Sequence, residues 1–233
     1  QRLLREGYTE LRPGRWQLTA GGKYFTTKNG SSLMAFRIPQ EAPAGFLLTA
    51  SHSDSPCFRL RDHAELTGEY IRLSAERYGG MINDSWLDRP LSVAGRVLVR
   101  REGGLEARLV DLKRDVALIP RVAIHLNRET NSGVKYDPAR DLVALYAAGT
   151  GSGSFYREVA RTADCAPEDV VAGDLVLYNN QPGTVWGAEG EFVSAPRLDD
   201  LACVFACTEG FLTAQERDMV PVLCVFDNEE IGS

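Results

Sequence analysis

The stretch GFLLTASHSD, residues 45–54, carries the clearest fold signal in this chain. It is apolar until it runs directly into polar residues, which is typical of a strand in the buried centre of a sheet. The stretch VPVLCVFDNEE, residues 220–230, repeats this arrangement far along the chain. Both patterns predict strands of an α/β fold that end in polar groups. In open α/β sheets, ligands bind at the carboxyl ends of such strands.

The segments next to these two strands fit the same fold class. Residues 23–38 alternate polar and apolar side chains around Asn29-Gly30, which predicts a β-hairpin. From Arg197 the period becomes helical, and Asp199 and Asp200 fall in the first predicted turn, where the helix dipole favours acids. The predicted apolar face of this helix comprises Leu198, Leu201, Ala202, Phe205, Ala206 and Phe211.

The middle of the chain has the composition of an antiparallel β domain. Strand-like runs are separated by Gly-Gly pairs, and they cover residues 70–74, 91–100 and 105–110. Residues 120–126 continue this pattern and predict a further strand. We therefore expect an α/β domain interrupted by an inserted β-rich domain. The predicted limits are 1–62 and 188–233 for the first domain and 63–187 for the second.

Composition excludes several classes of protein. The 233 residues are 44% hydrophobic and 25% charged, which is ordinary globular usage. The formal net charge of −6 gives no basic field for nucleic acid or anionic lipid, and we expect neither nucleic-acid nor membrane partners. The five cysteines form no CxxC pair and predict reduced, mostly buried thiols in a cytoplasmic protein.

Three separate places combine acids or imidazole with the end or start of a predicted element. They are His52 with Asp54, Asp199 with Asp200, and Glu229 with Glu230. One imidazole with several carboxylates suits a two-metal hydrolytic site in which one aspartate bridges the ions. Each pair alone also fits a structural role, such as a hydrogen-bonded loop histidine or a helix cap. Together they favour a metal-dependent hydrolase, although spacing alone does not name it.

Longer motifs resemble those of the M18 metallopeptidases, the aspartyl aminopeptidases. These motifs are TASHSDSPC (49–57), LDRPL (87–91), IPRVAIHLNR (119–128), PRLDDL (196–201) and FDNEEIGS (226–233). The resemblance runs in order from about Gly7 to Ser233. It implies a zinc-peptidase-like α/β/α catalytic domain interrupted by an inserted β-rich dimerisation domain. It also implies an aminopeptidase with two Zn²⁺ ions per subunit and peptide substrates. It also implies that the β-rich domain forms homodimers, which assemble into dodecamers.

The resemblance also implies roles for individual residues. His52 resembles a ligand of one zinc, and Asp54 resembles the acid that orients it. Asp199, rather than the neighbouring Asp200, would bridge the ions. Glu230 resembles a ligand of the other zinc, and Glu229 resembles the catalytic general base that takes a proton from the attacking water.

His125 has two interpretations. Its neighbours predict a packed histidine on a half-buried strand. In the family, the histidine of this motif is thought to reach a neighbouring subunit's active site and stabilise the developing oxyanion, which would make it a catalytic residue.

The sequence differs from the family pattern in the part that follows the Glu-Glu motif. Family members continue beyond the Glu-Glu motif, and one further Asp and one further His ligand come from that later part. We therefore expect this sequence to be part of a longer protein. For the 233 residues alone, each zinc would keep two ligands, which predicts weak metal binding and no peptidase activity.

The leading functional hypothesis is an aminopeptidase that removes N-terminal residues, acidic ones if the resemblance extends to specificity. One alternative is a catalytically silent oligomeric scaffold that keeps the β domain. Another is a dinuclear amidohydrolase that acts on acylated amino acids. The sequence leaves open the metal identity, acidic versus neutral preference and oligomer size.

Overall fold

A computed structural model describes residues 1–149, 151–215 and 218–232. The chain forms two compact units. The first combines Gln1–Ser55 with Arg197–Ser233, and the second is Pro56–Pro196. The boundaries between the units lie at 55/56 and 196/197, whereas the limits expected from the sequence are 62/63 and 187/188. Both helices and sheets are present, so the predicted mixed α/β class is confirmed.

The described residues of the first unit form a five-stranded sheet, two α-helices and a short 3₁₀ turn at Glu229–Ile231. Its strands are β1 (Thr9–Glu10), β2 (Lys23–Lys28), β3 (Ser32–Arg37), β4 (Gly45–His52) and β14 (Met219–Phe226). Its helices are α1 (Arg2–Arg5) and α4 (Leu198–Thr213). The sheet order is β1-β2-β3-β14-β4, and β14 runs parallel to β4 but antiparallel to β3.

The predicted hairpin at residues 23–38 is confirmed. Strands β2 and β3 are antiparallel, and Lys28 pairs with Ser32. Asn29 and Gly30 have φ angles of 54° and 73°, a region that asparagine and glycine tolerate better than other residues. The Asn-Gly pair therefore supplies the backbone conformation that reverses the chain here.

Strand β4 forms as predicted, but its expected burial in the sheet centre is wrong. It lies at the sheet edge, and Phe46, Leu47 and Leu48 are exposed in the described structure. The mostly buried strand is β14, which has β3 and β4 on its two sides. An unbroken apolar run predicts a strand, but the order of neighbouring strands decides whether it is covered.

The apolar face predicted for α4 is also mostly wrong. Of its six residues, Phe211 alone is buried, whereas Leu198, Leu201 and Phe205 are exposed. Val204, Cys207 and Leu212 pack with Phe211 against the sheet instead. The helix is apolar on more than one side, so the 3.6-residue period alone does not identify the packed face.

The second unit is built around a β barrel. Its strands are β5 (Cys57–Leu66), β6 (Tyr70–Tyr78), β7 (Pro90–Arg101), β8 (Gly104–Asp111), β9 (Ala117–Leu118), β10 (Ala144–Ala148), β11 (Val170–Tyr178), β12 (Thr184–Trp186) and β13 (Phe192–Ser194). Its helices are α2 (Pro138–Asp141) and α3 (Ser154–Thr162). The strand order is β11-β5-β6-β10-β9-β7-β8, and β7 also pairs with β11, which closes the barrel. Strands β12 and β13 form a separate hairpin.

The barrel interior explains why these runs form strands. Val93, Val97 and Val99 alternate along β7 and are fully buried, as expected for the inward face of a strand. Gly95 lies on the same face, where a Cβ atom would overlap the carbonyl oxygen of Asp174 on β11. The close approach of β11 to β7 therefore requires glycine at this position.

The strand predicted for residues 120–126 is wrong. Strand β9 ends at Leu118, and His125 lies in an exposed turn of the second unit. Pro120 has no N–H group with which to continue a ladder. The alternating Val122 and Ile124 are consequently exposed, although their spacing resembles that of a half-buried strand.

The cysteines are free thiols, and Cys224 alone among the five is buried. Cys203 is exposed, so the expectation of mostly buried thiols is wrong. None of the helices within the described ranges combines the length and apolar character needed to cross a bilayer.

Candidate metal centre

The candidate site lies in the first unit, where two parallel strands end side by side. His52 at the end of β4 is in register with Phe226 at the end of β14. The Ser53 N–H donates to the Phe226 carbonyl at 2.9 Å and keeps the two chains together beyond the sheet. Residues that follow the two strands therefore leave the sheet at the same edge, as predicted from the sequence.

The start of α4 brings a third segment to this edge. The Ser55 hydroxyl donates to the Asp199 carbonyl at 3.1 Å. The backbone at Asp199 and Asp200 departs from helical dihedrals, and the peptide bond between them is cis. The two acids lie in the first turn of α4, as predicted, but this turn is irregular because their φ and ψ angles are not helical.

Three predicted metal ligands come together in the structure. One ligand atom from each of His52, Asp199 and Glu230 lies within 4.8 Å of the other two. His52 Nε2 is 3.6 Å from Asp199 Oδ1 and 3.7 Å from Glu229 Oε2. One imidazole nitrogen and two carboxylate oxygens form a donor set that suits zinc, so these residues fit the predicted metal.

Hydrogen bonding fixes which nitrogen of His52 faces the acids. His52 Nδ1 lies 3.0 Å from the backbone carbonyl oxygen of Asp54, which can only accept, so Nδ1 carries the proton. In the neutral imidazole Nε2 is then the nitrogen without a proton, and it lies on the side of Asp199 and Glu229. A metal-binding imidazole is normally oriented in this way by a hydrogen bond from its other nitrogen.

The Asp54 side chain makes a contact that its predicted role does not include. Its two carboxylate oxygens accept the backbone N–H groups of Glu229 at 3.2 Å and Glu230 at 3.1 Å. The carboxylate is only 7% exposed, and it also lies 3.4 Å from His52 Nδ1. Asp54 therefore holds both the histidine and the turn that presents the two glutamates.

Asp200 has a role in the site that the sequence did not predict. Its Oδ2 atom accepts the backbone N–H of His52 at 3.0 Å. A hydrogen bond from the Cys203 thiol lowers the pKa of Asp200 most, and the hydrogen bond from the His52 N–H lowers this pKa further. No local pattern signals this contact, because His52 and Asp200 are 148 positions apart.

The concentration of acids shifts two pKa values. Burial raises the pKa of Glu230, and the nearby carboxylate of Asp199 raises it further. For His52, burial lowers the pKa, but the Asp54 carbonyl and the carboxylates of Asp200 and Glu229 outweigh this effect and raise it. Clustered carboxylates repel one another, and a bound cation would relieve that repulsion.

His125 is not among these clustered residues. It belongs to the second unit, whereas His52, Asp199 and Glu230 all belong to the first. Its exposed turn position excludes the packed-histidine interpretation. The proposed contribution to a neighbouring subunit stays a prediction.

Comparison with protein families gives a match along the whole chain. The family model described as aminopeptidase I zinc metalloprotease (M18) matches residues 1–233. A probable M18 family aminopeptidase 2 from Clostridium acetobutylicum is 38% identical over 244 residues. That alignment covers 99% of this chain and 56% of the relative. The chain thus spans little more than half the length of the curated relative.

Comparison with solved structures also finds similar proteins along the whole chain. The fold is similar to a chain in the cryo-EM structure of the Ape4 and Nbr1 complex, with a TM-score of 0.91 and 29% identity. The similarity covers 100% of this chain and 50% of that chain. The S. cerevisiae mApe1 dodecamer is also similar, with a TM-score of 0.82, 29% identity and coverage of 100% and 56%.

Proposed function

Because this chain belongs to the M18 family of zinc metalloproteases, we propose that the complete protein removes N-terminal residues from peptides at a dinuclear zinc centre. The observation that carries this proposal is the convergence of His52, Asp199 and Glu230, whose ligand atoms lie within 4.8 Å of one another. Since the curated relative is much longer than this chain, the activity is proposed for the complete protein.

In the proposed centre, His52 and Asp199 would hold one ion, and Asp199 and Glu230 would hold the other. Asp199, whose side chain is 86% exposed, would be the residue that both ions share. Zinc in this position would act as a Lewis acid toward a peptide carbonyl and would make water more acidic. Catalytic zinc usually has three protein ligands, so we propose that the remainder of the complete protein supplies the others.

Glu229 is the proposed general base. It lies outside the three-residue ligand group, and its Oε2 atom is 3.7 Å from His52 Nε2. Its backbone is held by Asp54, whereas its side chain remains exposed and can meet a substrate. A carboxylate placed in this way accepts a proton from the attacking water and then gives it to the departing amine.

The preference for acidic N-terminal residues is the finer part of the substrate proposal. It is supported by the motif resemblance alone, since the described residues include the acidic cluster but no assigned specificity pocket. A free N-terminal amine separates this activity from that of an amidohydrolase acting on acylated amino acids. The substrate test below therefore varies both features.

We further propose that the protein is a cytoplasmic homo-oligomer in which the second unit forms dimers that assemble into a dodecamer. The similarity to the S. cerevisiae mApe1 dodecamer supports this proposal. His125, which is exposed on the second unit, is proposed to stabilise the oxyanion in a neighbouring subunit's active site.

The test uses the complete protein and a matched pair of variants. We expect zinc-dependent cleavage of peptides that begin with Asp or Glu, and little cleavage of the same peptides after N-acetylation. Glu229→Gln should lower the rate by about 10²- to 10⁴-fold while zinc content by elemental analysis is unchanged. Glu102→Gln, at an exposed turn of the second unit, is the control.

Different failures identify different alternatives. Preferential hydrolysis of N-acylated amino acids would replace the aminopeptidase with an amidohydrolase. Stable oligomers without zinc-dependent turnover would support the silent scaffold. Faster cleavage of Leu peptides than of Asp peptides would contradict only the acidic preference, and full activity in Glu229→Gln would contradict the assigned base.

A further inference from the structure

Strand β8 presents a long sheet edge that has no proline, lysine or bulge, and its residues 105–109 carry their charges on one face only. Among the described strands it pairs only with β7, and their register is continuous from Ala94–Asp111 to Arg101–Gly104. Natural edge strands are commonly blocked by proline, lysine or a bulge. The β8 sequence GLEARLVD contains neither proline nor lysine, and its pairing shows no bulge. Within the part of the chain that the structure describes, this edge is therefore unpaired.

The register identifies which backbone groups face the open side. The Leu112 N–H, in the continuation of the same register, donates to the Val93 carbonyl at 3.0 Å. Hydrogen-bonded and non-bonded positions alternate along an antiparallel pair. Leu105, Ala107 and Leu109 therefore direct their N–H and C=O groups away from β7.

The side chains on this edge are unusually apolar for an exposed strand. Leu105 is 60% exposed and Leu109 is 84% exposed. The period of two puts them on one face with Ala107. Glu106 and Arg108 lie on the other face, where their side chains are 3.1 Å apart. Over residues 105–109 the strand thus has one apolar face and one face that carries an acidic and a basic side chain.

We propose that β8 pairs antiparallel with β8 of a second copy of this chain, centred on Ala107. In this register, Leu105 lies opposite Leu109 of the partner subunit. Glu106 lies opposite Arg108 of the partner subunit. The two-fold symmetry repeats both contacts, which covers four leucines and brings opposite charges together.

Charge selects this register over its neighbours. Residues whose N–H and C=O groups point away from β7 must lie opposite one another in the two copies. The two-fold axis can therefore shift along the strand only from one residue to the next. A centre at residue 106 would put Glu106 opposite its own copy, and a centre at residue 108 would do the same for Arg108. Like charges directly opposite are destabilising, so the centre at Ala107 is favoured.

The same complementarity favours a second copy over an unrelated strand. The sequence Leu-Glu-Ala-Arg-Leu matches apolar with apolar and acid with base when paired with itself in reverse. An unrelated strand has no reason to carry this pattern. The inference deepens the assembly part of the proposed function by naming the dimer-forming strand, and it is independent of peptidase activity.

The test measures self-association of the full chain by sedimentation velocity over a range of concentrations. We expect wild type to form dimers, either alone or within a larger assembly, and Leu109→Lys and Leu105→Glu each to weaken dimer formation at least tenfold. An equimolar mixture of the two variants should associate better than either alone, because it pairs one glutamate with one lysine. Ile82→Lys, at an exposed position outside β8, should associate like wild type.

Hydrogen exchange provides a readout that needs no variant. Peptides covering residues 104–111 should exchange more slowly at concentrations where the chain is dimeric, because the outward N–H groups become bonded. A monomeric wild type would overturn the proposal. A dimer that Leu109→Lys leaves intact would overturn the assignment to β8, and failure of the mixed variants to recover would overturn the register.

Discussion

Asp54 Oδ2 accepts the backbone N–H of Glu230 at 3.1 Å, across 176 positions of sequence. The other oxygen of the same carboxylate accepts the Glu229 N–H, and the Asp54 backbone carbonyl accepts from His52. One residue therefore fixes a proposed metal-binding imidazole and the turn that carries a second proposed ligand. Its removal should affect stability and metal binding together.

We predict that Asp54→Asn lowers the free energy of unfolding by about 1–3 kcal/mol, because an amide oxygen replaces one acceptor while the NH₂ group faces a backbone donor. Zinc affinity should fall by about 10- to 100-fold, as is typical when a group that orients a ligand is lost. Urea denaturation and zinc titration measure the two effects. Asp164→Asn, at a fully exposed carboxylate, is the control, and equal behaviour of both variants would contradict the prediction.

Arg37, on strand β3, stabilises the C-terminal end of α4. It is a buried cation that donates to the carbonyls of Phe211 at 3.0 Å and Ala214 at 2.9 Å. We predict that Arg37→Met lowers the free energy of unfolding by about 1.5–3 kcal/mol, because charged hydrogen bonds at a helix C-terminus are lost. Arg37→Lys should recover only part of the lost unfolding free energy, since an ammonium lacks the planar arrangement of N–H donors that lets a guanidinium bond two carbonyls. Equal stability of Arg37→Met and wild type by urea denaturation would refute this assignment.

The two faces of α4 should respond differently to truncation. Phe211 is 4% exposed and packs beside Tyr8, whereas Phe205 is 65% exposed. We predict that Phe211→Ala costs about 3–5 kcal/mol of unfolding free energy, because it leaves a cavity in the core. Phe205→Ala should cost less than about 1 kcal/mol. Thermal or chemical denaturation compares them, and a larger loss at Phe205 would reverse the assignment of the packed face.

Glu158 on α3 should contribute a pH-dependent part of the stability. Hydrogen bonds from Arg114 at 2.8 Å and Arg161 at 2.9 Å lower the pKa of this carboxylate from its ordinary 4.5. Its stabilising effect is therefore complete above pH 4.5 and is lost as the pH falls through the lower pKa of the folded state.

We predict that Glu158→Gln lowers the free energy of unfolding at pH 7 by on the order of 1 kcal/mol, because the arginines are partly exposed. The difference from wild type should shrink as the pH is lowered below 4.5. Denaturation at several pH values, with Glu102→Gln as the control, tests this. A difference that grows toward acid pH would show that the sign is wrong.

Local patterns in the sequence were sufficient to predict several elements. The hairpin around Asn29-Gly30 formed because its turn needs positive φ angles that these two residues tolerate. Strands β6, β7 and β8 formed where β-rich runs were bounded by Gly-Gly pairs. The polar ends of β4 and β14 also identified His52 and Glu230, because residues that end parallel neighbours share one sheet edge.

Other features depended on contacts between distant segments. The exposed position of β4 follows from the strand order, and the packed face of α4 follows from where the helix meets the sheet. The turn at His125 follows from the end of pairing at β9, although the local alternation suggested a strand. In each case the residue type was known, but the neighbour that covers or pairs with it was not.

The sequence by itself determined which residues can bind a metal and which runs can form strands, because residue chemistry and side-chain period are local properties. Only the tertiary structure decided that Asp54 holds the Glu229–Glu230 turn and that Asp200 accepts the His52 N–H. These bonds join groups separated by 148 to 176 positions. They form because folding brings backbone N–H groups beside largely buried carboxylates, and no local pattern records which distant acceptor a donor will meet.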